Sequence, residues 1–144
     1  MKTVMRIGWC YSLIFLLTGC ASTVQSVRVP DLNKRVEDPA KARIYLIRPS
    51  IIGTAIKADV WVGGRSIGKL AYNSFLTWEE PAGEITISVQ AYSNAPRRID
   101  LKLSPGSVYY IQADVASAVN WQPLFLSEAE GRELVSKCKA PKSE

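Results

Sequence analysis

The sequence contains no histidine. The commonest general base and the commonest metal ligand are therefore missing. It also has no GxSxG, no HExxH, no Walker-type glycine loop and no paired-cysteine zinc spacing. These absences argue against an enzyme, a metal site and a cofactor. Charge forms no run of either sign: 18 Lys and Arg are scattered among 13 Asp and Glu. A nucleic-acid partner would call for a basic stripe or a known module, and the chain shows neither. The carboxylates Asp59, Glu79, Glu80, Glu84, Asp100 and Asp114 sit mostly at alternating strand positions or turn edges. Such places hold solvated charges more readily than the two-carboxylate pair of a hydrolase. Cysteine is scarce, with Cys10, Cys20 and Cys138 alone in 144 residues.

What is present at the start has the three-part layout of a secretory signal. Lys2 and Arg6 give a positive beginning, and Ile7 to Leu17 is apolar and uncharged. A span that stays in the bilayer needs about 20 apolar residues, and this run is roughly half that. It ends in Leu17-Thr18-Gly19-Cys20, which reads as a lipobox. The segment resembles the signals of bacterial lipoproteins. That resemblance implies that the Cys20 thiol receives a diacylglyceryl group and becomes the new amino terminus after cleavage. Thioether formation suits a cysteine because its thiolate is a good nucleophile. Two or more acyl chains give stable attachment where one is marginal. Ala21, not Asp, follows Cys20. In enteric-type bacteria an Asp there resembles an inner-membrane retention signal. The expected address is therefore the outer membrane, facing the periplasm, with the membrane held as a partner through the lipid on Cys20.

Residues 1–19 read as the discarded signal, 20–41 as a lipidated tether, 42–138 as the domain and 139–144 as a tail. The mature length suffices for one ordinary domain. Loss of Lys2 and Arg6 lowers the formal charge from +5 to +3. With Cys20 consumed by lipid, Cys138 has no partner within the chain, which leaves a buried thiol or an intermolecular disulfide. The tether is polar and carries Pro30 and Pro39. A competing reading makes Val27, Val29 and Leu32 a first edge strand.

From Ala42 the pattern becomes that of strands. Arg43 to Arg48 is rich in β formers and stops at Pro49. Ala58 to Val62 and Arg65 to Leu70 flank Gly63-Gly64, which suits a tight hairpin. Asn73 to Trp78 precedes the turn cluster Pro81-Ala82-Gly83. Glu84 to Tyr92 alternates, with Ile85, Ile87, Val89 and Ala91 on one face. Arg97 to Leu103 does the same with Ile99, Leu101 and Leu103. After Ser104-Pro105-Gly106, Ser107 to Val115 places Tyr109, Ile111, Ala113 and Val115 on one face. Strands every ten residues or so with Gly and Pro between them predict a mainly β fold. The expected architecture is an antiparallel β-sandwich of about seven strands. A single C-terminal α-helix follows, opened by Ser127-Glu128-Ala129-Glu130 as a capping box.

The markers Ala42-Arg43-Ile44-Tyr45 with Arg48-Pro49-Ser50, then Val60 to Gly68, then Pro81-Ala82-Gly83 before Ile85-Thr86-Ile87, then Leu103 to Gly106 before Val108 to Ile111, occur in a set order. Together they resemble the bacterial lipoprotein family catalogued as domain of unknown function 2846. Their order is also similar to that of PEGA domains, small surface β-sandwiches. The resemblance runs from about Ala42 to Leu134. It implies the sandwich and the lipoprotein address and brings no catalytic residues. Gly63-Gly64 stands where these families often place Asp-Gly or Asn-Gly, and meets the same turn geometry.

The expected function is a non-catalytic interaction module for other envelope components, with an envelope protein as partner. Trp61, Trp78 and Tyr92 are the candidate interaction surface. Two readings stand open for Trp61 and Trp78, an exposed patch or completion of the core. The alternative function is a glycan-binding module for peptidoglycan or polysaccharide, in which aromatics beside polar groups stack on sugar rings.

Overall fold

The computed structural model describes residues 35–49, 57–91, 95–113 and 123–138. The signal segment, Cys20, the candidate strand around Val27, Tyr92 and the tail lie outside the described residues. The elements are β1 (Lys41–Arg48), β2 (Ala58–Val62), β3 (Arg65–Leu70), β4 (Ser74–Pro81), β5 (Gly83–Ala91), β6 (Arg97–Leu103), β7 (Val108–Gln112), β8 (Leu124–Leu126) and α1 (Glu128–Lys137). The strands form two four-stranded sheets, ordered β4-β1-β7-β8 and β3-β2-β5-β6. All seven predicted strands are there, and β8 adds an eighth.

The mainly β sandwich is as the alternation foretold. Ile85, Ile87, Val89 and Ala91 of β5 and Ile99, Leu101 and Leu103 of β6 point to one core. Ala42, Ile44 and Leu46 of β1 and Ile111 of β7 meet them from the other sheet. One pair departs from the antiparallel pattern: β1 runs parallel to β7, with Tyr45 opposite Tyr110. Hairpin chemistry fixes direction only between strands joined by a tight turn, and five strands separate these two. The Gly63-Gly64 turn has φ of +56° and +81°, the positive values that a two-residue hairpin of this kind needs.

The first sheet is buried on both sides. Its outer face carries a second cluster of Tyr45, Ile47, Phe75, Tyr110 and Val135, with Leu126, Leu134 and Cys138 packed against it. Helix α1 therefore forms a third layer. It begins as the capping box predicts: Ser127 Oγ accepts from Glu130 N, and Ser127 N donates to Glu130 Oε2 at 3.0 Å. Gly131 lets the helix lie directly on Tyr110, because a methyl there would come within 3.0 Å of Tyr110 Cγ, Cβ and Cδ1.

Candidate functional site

Three surfaces of the sandwich carry features that packing alone does not account for. The first is the outer face of the second sheet. Val60 and Val62 are core residues, so the two-residue period turns Trp61 outward, where it is half-buried. Trp61 stands opposite Ser66 on β3 and Ser88 on β5, and Ser88 stands opposite Arg98 on β6. Two small hydroxyl residues thus flank one indole at the middle of a polar face. Farther along, Thr86 donates to Asp100 at 2.6 Å. Trp78 lies elsewhere: it packs against the core from β4, opposite Ile44, and its Nε1 has no partner among the described residues. For Trp78 the core reading is the one the structure matches. Trp61 and Trp78 therefore do not share a patch, and Tyr92 lies outside the described residues.

The second surface is the rim formed by β8. Among the described residues β8 has a strand on one side only. Phe125 opposes Ile111 on the core side and Leu124 opposes Gln112 on the other. Their side chains are the most exposed large apolar groups of the described residues, at 54% and 56%. An edge strand of this kind offers unpaired backbone groups together with apolar side chains.

The third surface is a groove of about 570 Å³ on the outer face of the first sheet. Residues 35–39 form one wall and the first half of α1 the other, with Arg43, Tyr45 and Tyr110 at the floor. The two tyrosine rings are stacked, with centroids 4.9 Å apart and planes 7° from parallel. Arg43 is 2% exposed, an unusual place for a guanidinium. It is held by Glu79, with Nη2 at 2.7 Å and Nε at 3.1 Å from the same oxygen, Oε1. Its Nη2 also donates to the Arg35 carbonyl at 3.2 Å, while Glu37 N donates to Glu79 Oε1 at 3.2 Å. The ion pair therefore fastens the end of the expected tether to the sheet. Burial alone would lower the Arg43 pKa, but the hydrogen bonds with Glu79 and Tyr45 outweigh it and raise it. On the opposite wall Arg132 Nε donates to Glu128 at 2.9 Å, which raises its pKa. Burial raises the pKa of Tyr110, with the charges of Arg132 and Arg43 pulling the other way.

Sequence reasoning did not find this groove. Arg43 was visible as part of a marker, but its burial and its link to Glu79 arise from the β1–β4 register, in which the two residues are opposite. Of the carboxylates, Glu84 and Asp100 line one concavity of about 370 Å³ on the second sheet, together with Thr86 and Lys102. Glu79 binds Arg43, Glu80 binds Arg65 and Asp100 accepts from Thr86, while Asp114 lies outside the described residues. Among the described residues no group of three or more Cys, Asp or Glu could hold a metal ion, and no helix is long and apolar enough to cross a membrane. The Cys138 thiol is half-buried, points to the Arg48 carbonyl at 3.9 Å and has its pKa raised by burial.

Comparison with known proteins agrees with this architecture. The chain is 30% identical over 131 residues to an uncharacterized protein of Haemophilus influenzae, a match that covers 85% of this chain and 76% of that protein. A family profile matches residues 38–123, which run from the fastened end of the tether through β7 and hold both sheets except β8. On that match the chain belongs to the family described as Protein of unknown function (DUF2846).

Proposed function

We propose that this protein is a lipid-anchored, non-catalytic interaction module of the bacterial cell envelope. The lipobox ending at Cys20 supplies the anchor, and the address is the outer membrane facing the periplasm. The observation that carries the interaction reading is the β8 rim, where Leu124 and Phe125 are more than half exposed on a strand that, among the described residues, is paired on one side only. Such an edge receives an extended segment of another protein by strand addition: backbone hydrogen bonds supply affinity and the two apolar side chains supply selectivity. The partner is an envelope protein that offers an extended, apolar stretch.

The test is photocrosslinking in living cells, with a photoreactive residue at Phe125 and, in parallel, at Trp61 and Arg98. The Phe125 probe is expected to trap one defined envelope protein, while the two probes on the second sheet trap none. A Phe125 probe that yields no protein adduct overturns the strand-addition reading. A second reading, glycan binding, is favoured by one observation, the outward Trp61 indole between Ser66 and Ser88. Adducts to glycan fragments at Trp61, with none to protein at Phe125, would put that reading first.

A further inference from the structure

We propose that the groove on the outer face of the first sheet binds the phosphate of a phospholipid headgroup in the membrane that holds the chain. This inference rests on the lipid-anchor reading for its choice of ligand and on the groove's geometry for its chemistry. Three guanidinium groups, Arg35, Arg43 and Arg132, line one concavity of about 570 Å³. Guanidinium is the side chain best suited to a phosphate, because its planar fork donates two parallel hydrogen bonds to the oxygens. Glu79 pairs with Arg43 and Glu128 with Arg132. The wall that carries Arg35 also carries Glu37 and Asp38, of which Asp38 pairs with Lys41.

That position narrows the source of the phosphate. Arg35 lies fifteen positions after Cys20, and a chain of that length reaches no farther than about 55 Å. The Arg43–Glu79 pair fixes the end of this segment beside the groove, through the Arg35 carbonyl and Glu37 N. The segment that leads from Cys20 therefore joins the domain beside the groove. Arg43 stays with Glu79 in this arrangement and orients the floor, while Arg35 and Arg132 meet the phosphate from the two walls.

The test uses the mature chain without lipid, residues 21–144, so that the anchor contributes nothing to binding. Sedimentation with vesicles of phosphatidylglycerol and phosphatidylcholine is compared for wild type, the double variant Arg35→Gln/Arg132→Gln and the control Arg98→Gln/Lys102→Gln. The control removes the same charge from the exposed outer face of the second sheet. Circular dichroism and melting temperature confirm that each variant folds. The groove variant is expected to bind about tenfold or more weakly, since each basic group near an anionic surface is worth about 1 kcal/mol. The control is expected to bind as wild type does. Equal loss in both variants, or full binding by the groove variant, overturns the proposal. A parallel arm adds glycerol phosphate in solution. Stabilisation of wild type by glycerol phosphate, with no binding to vesicles, overturns the lipid source. The anchor reading is tested separately by the mass of the native amino terminus, so the two failures are told apart.

Discussion

Replacing Gly131 by Ala should destabilise the protein, although alanine is the better helix former. Gly131 lies in the second turn of α1 and is buried against β7. An added methyl would sit under 3.0 Å from Cγ, Cβ and Cδ1 of Tyr110. Carbon atoms prefer about 3.5–4.0 Å, so either the helix lifts or the ring turns. The ring cannot turn cheaply, because it stacks on Tyr45 at 4.9 Å. Helix propensity alone would favour Ala by about 0.8–1 kcal/mol. Overpacking of a well-packed site costs about 1–3 kcal/mol, and this contact lies at the severe end because three atoms near the backbone are struck at once. The net loss is about 1–2 kcal/mol, which for a domain of this size lowers Tm by roughly 4–16 °C. Differential scanning calorimetry of the mature chain reads it, with Ser136→Ala on the exposed side of the same helix as the control. A Gly131→Ala protein as stable as wild type, or more so, would show that propensity wins and that α1 does not sit on Tyr110 as described.

Other outcomes follow from the same packing. Glu79→Leu leaves the buried Arg43 guanidinium without its anion and should cost about 3 kcal/mol, while Arg43→Met/Glu79→Leu should recover much of that loss. Urea melts of the two singles and the double give the coupling, and a double variant no better than Glu79→Leu would contradict it. Ser127→Ala removes the acceptor for Glu130 N and should cost about 1 kcal/mol, read by the same melts. The Ser127 hydrogen bonds also lower the Glu130 pKa, so their contribution is present above the usual carboxylate range and is lost as pH falls through the lowered value. Helicity that fades on acidification in wild type but not in Ser127→Ala would show it. Burial raises the Cys138 pKa, so its contribution is full below the ordinary thiol value and is lost as pH rises through the raised one. Cys138 in the folded protein should react with a thiol reagent more slowly than the unfolded chain at neutral pH and catch up under alkaline conditions.

The second sheet was the most legible part of the sequence. β5 and β6 have one face in the core and one in solvent, so Ile87, Val89, Ile99 and Leu101 alternate with Ser88, Arg98 and Asp100. β1 offers no such alternation, because the first sheet is covered by the second sheet on one side and α1 on the other. From Ala42 to Arg48 every residue is buried. Its role as the central parallel partner of β7 depends on contacts between distant parts of the chain. β8 spans three residues, too few for a period to appear. The capping box at Ser127 and Glu130 was readable because its chemistry is local. The groove was not, since its walls come from residues 35–39 and from Glu128 and Arg132, and its floor from two strands between them. Trp61 could be placed outward from the valines on either side, whereas Trp78 needed the register with Ile44 to show that it faces the core.

The envelope address and the choice of a lipid headgroup as ligand both start from the chain being held at a membrane by its own lipid. Intact mass spectrometry of the protein purified from bacterial membranes tests this most directly. The account predicts an amino terminus at Cys20, the loss of residues 1–19, and added mass that matches a diacylglyceryl group with or without a further acyl chain. An unmodified Cys20, or a mature chain that begins at any other residue, would contradict it.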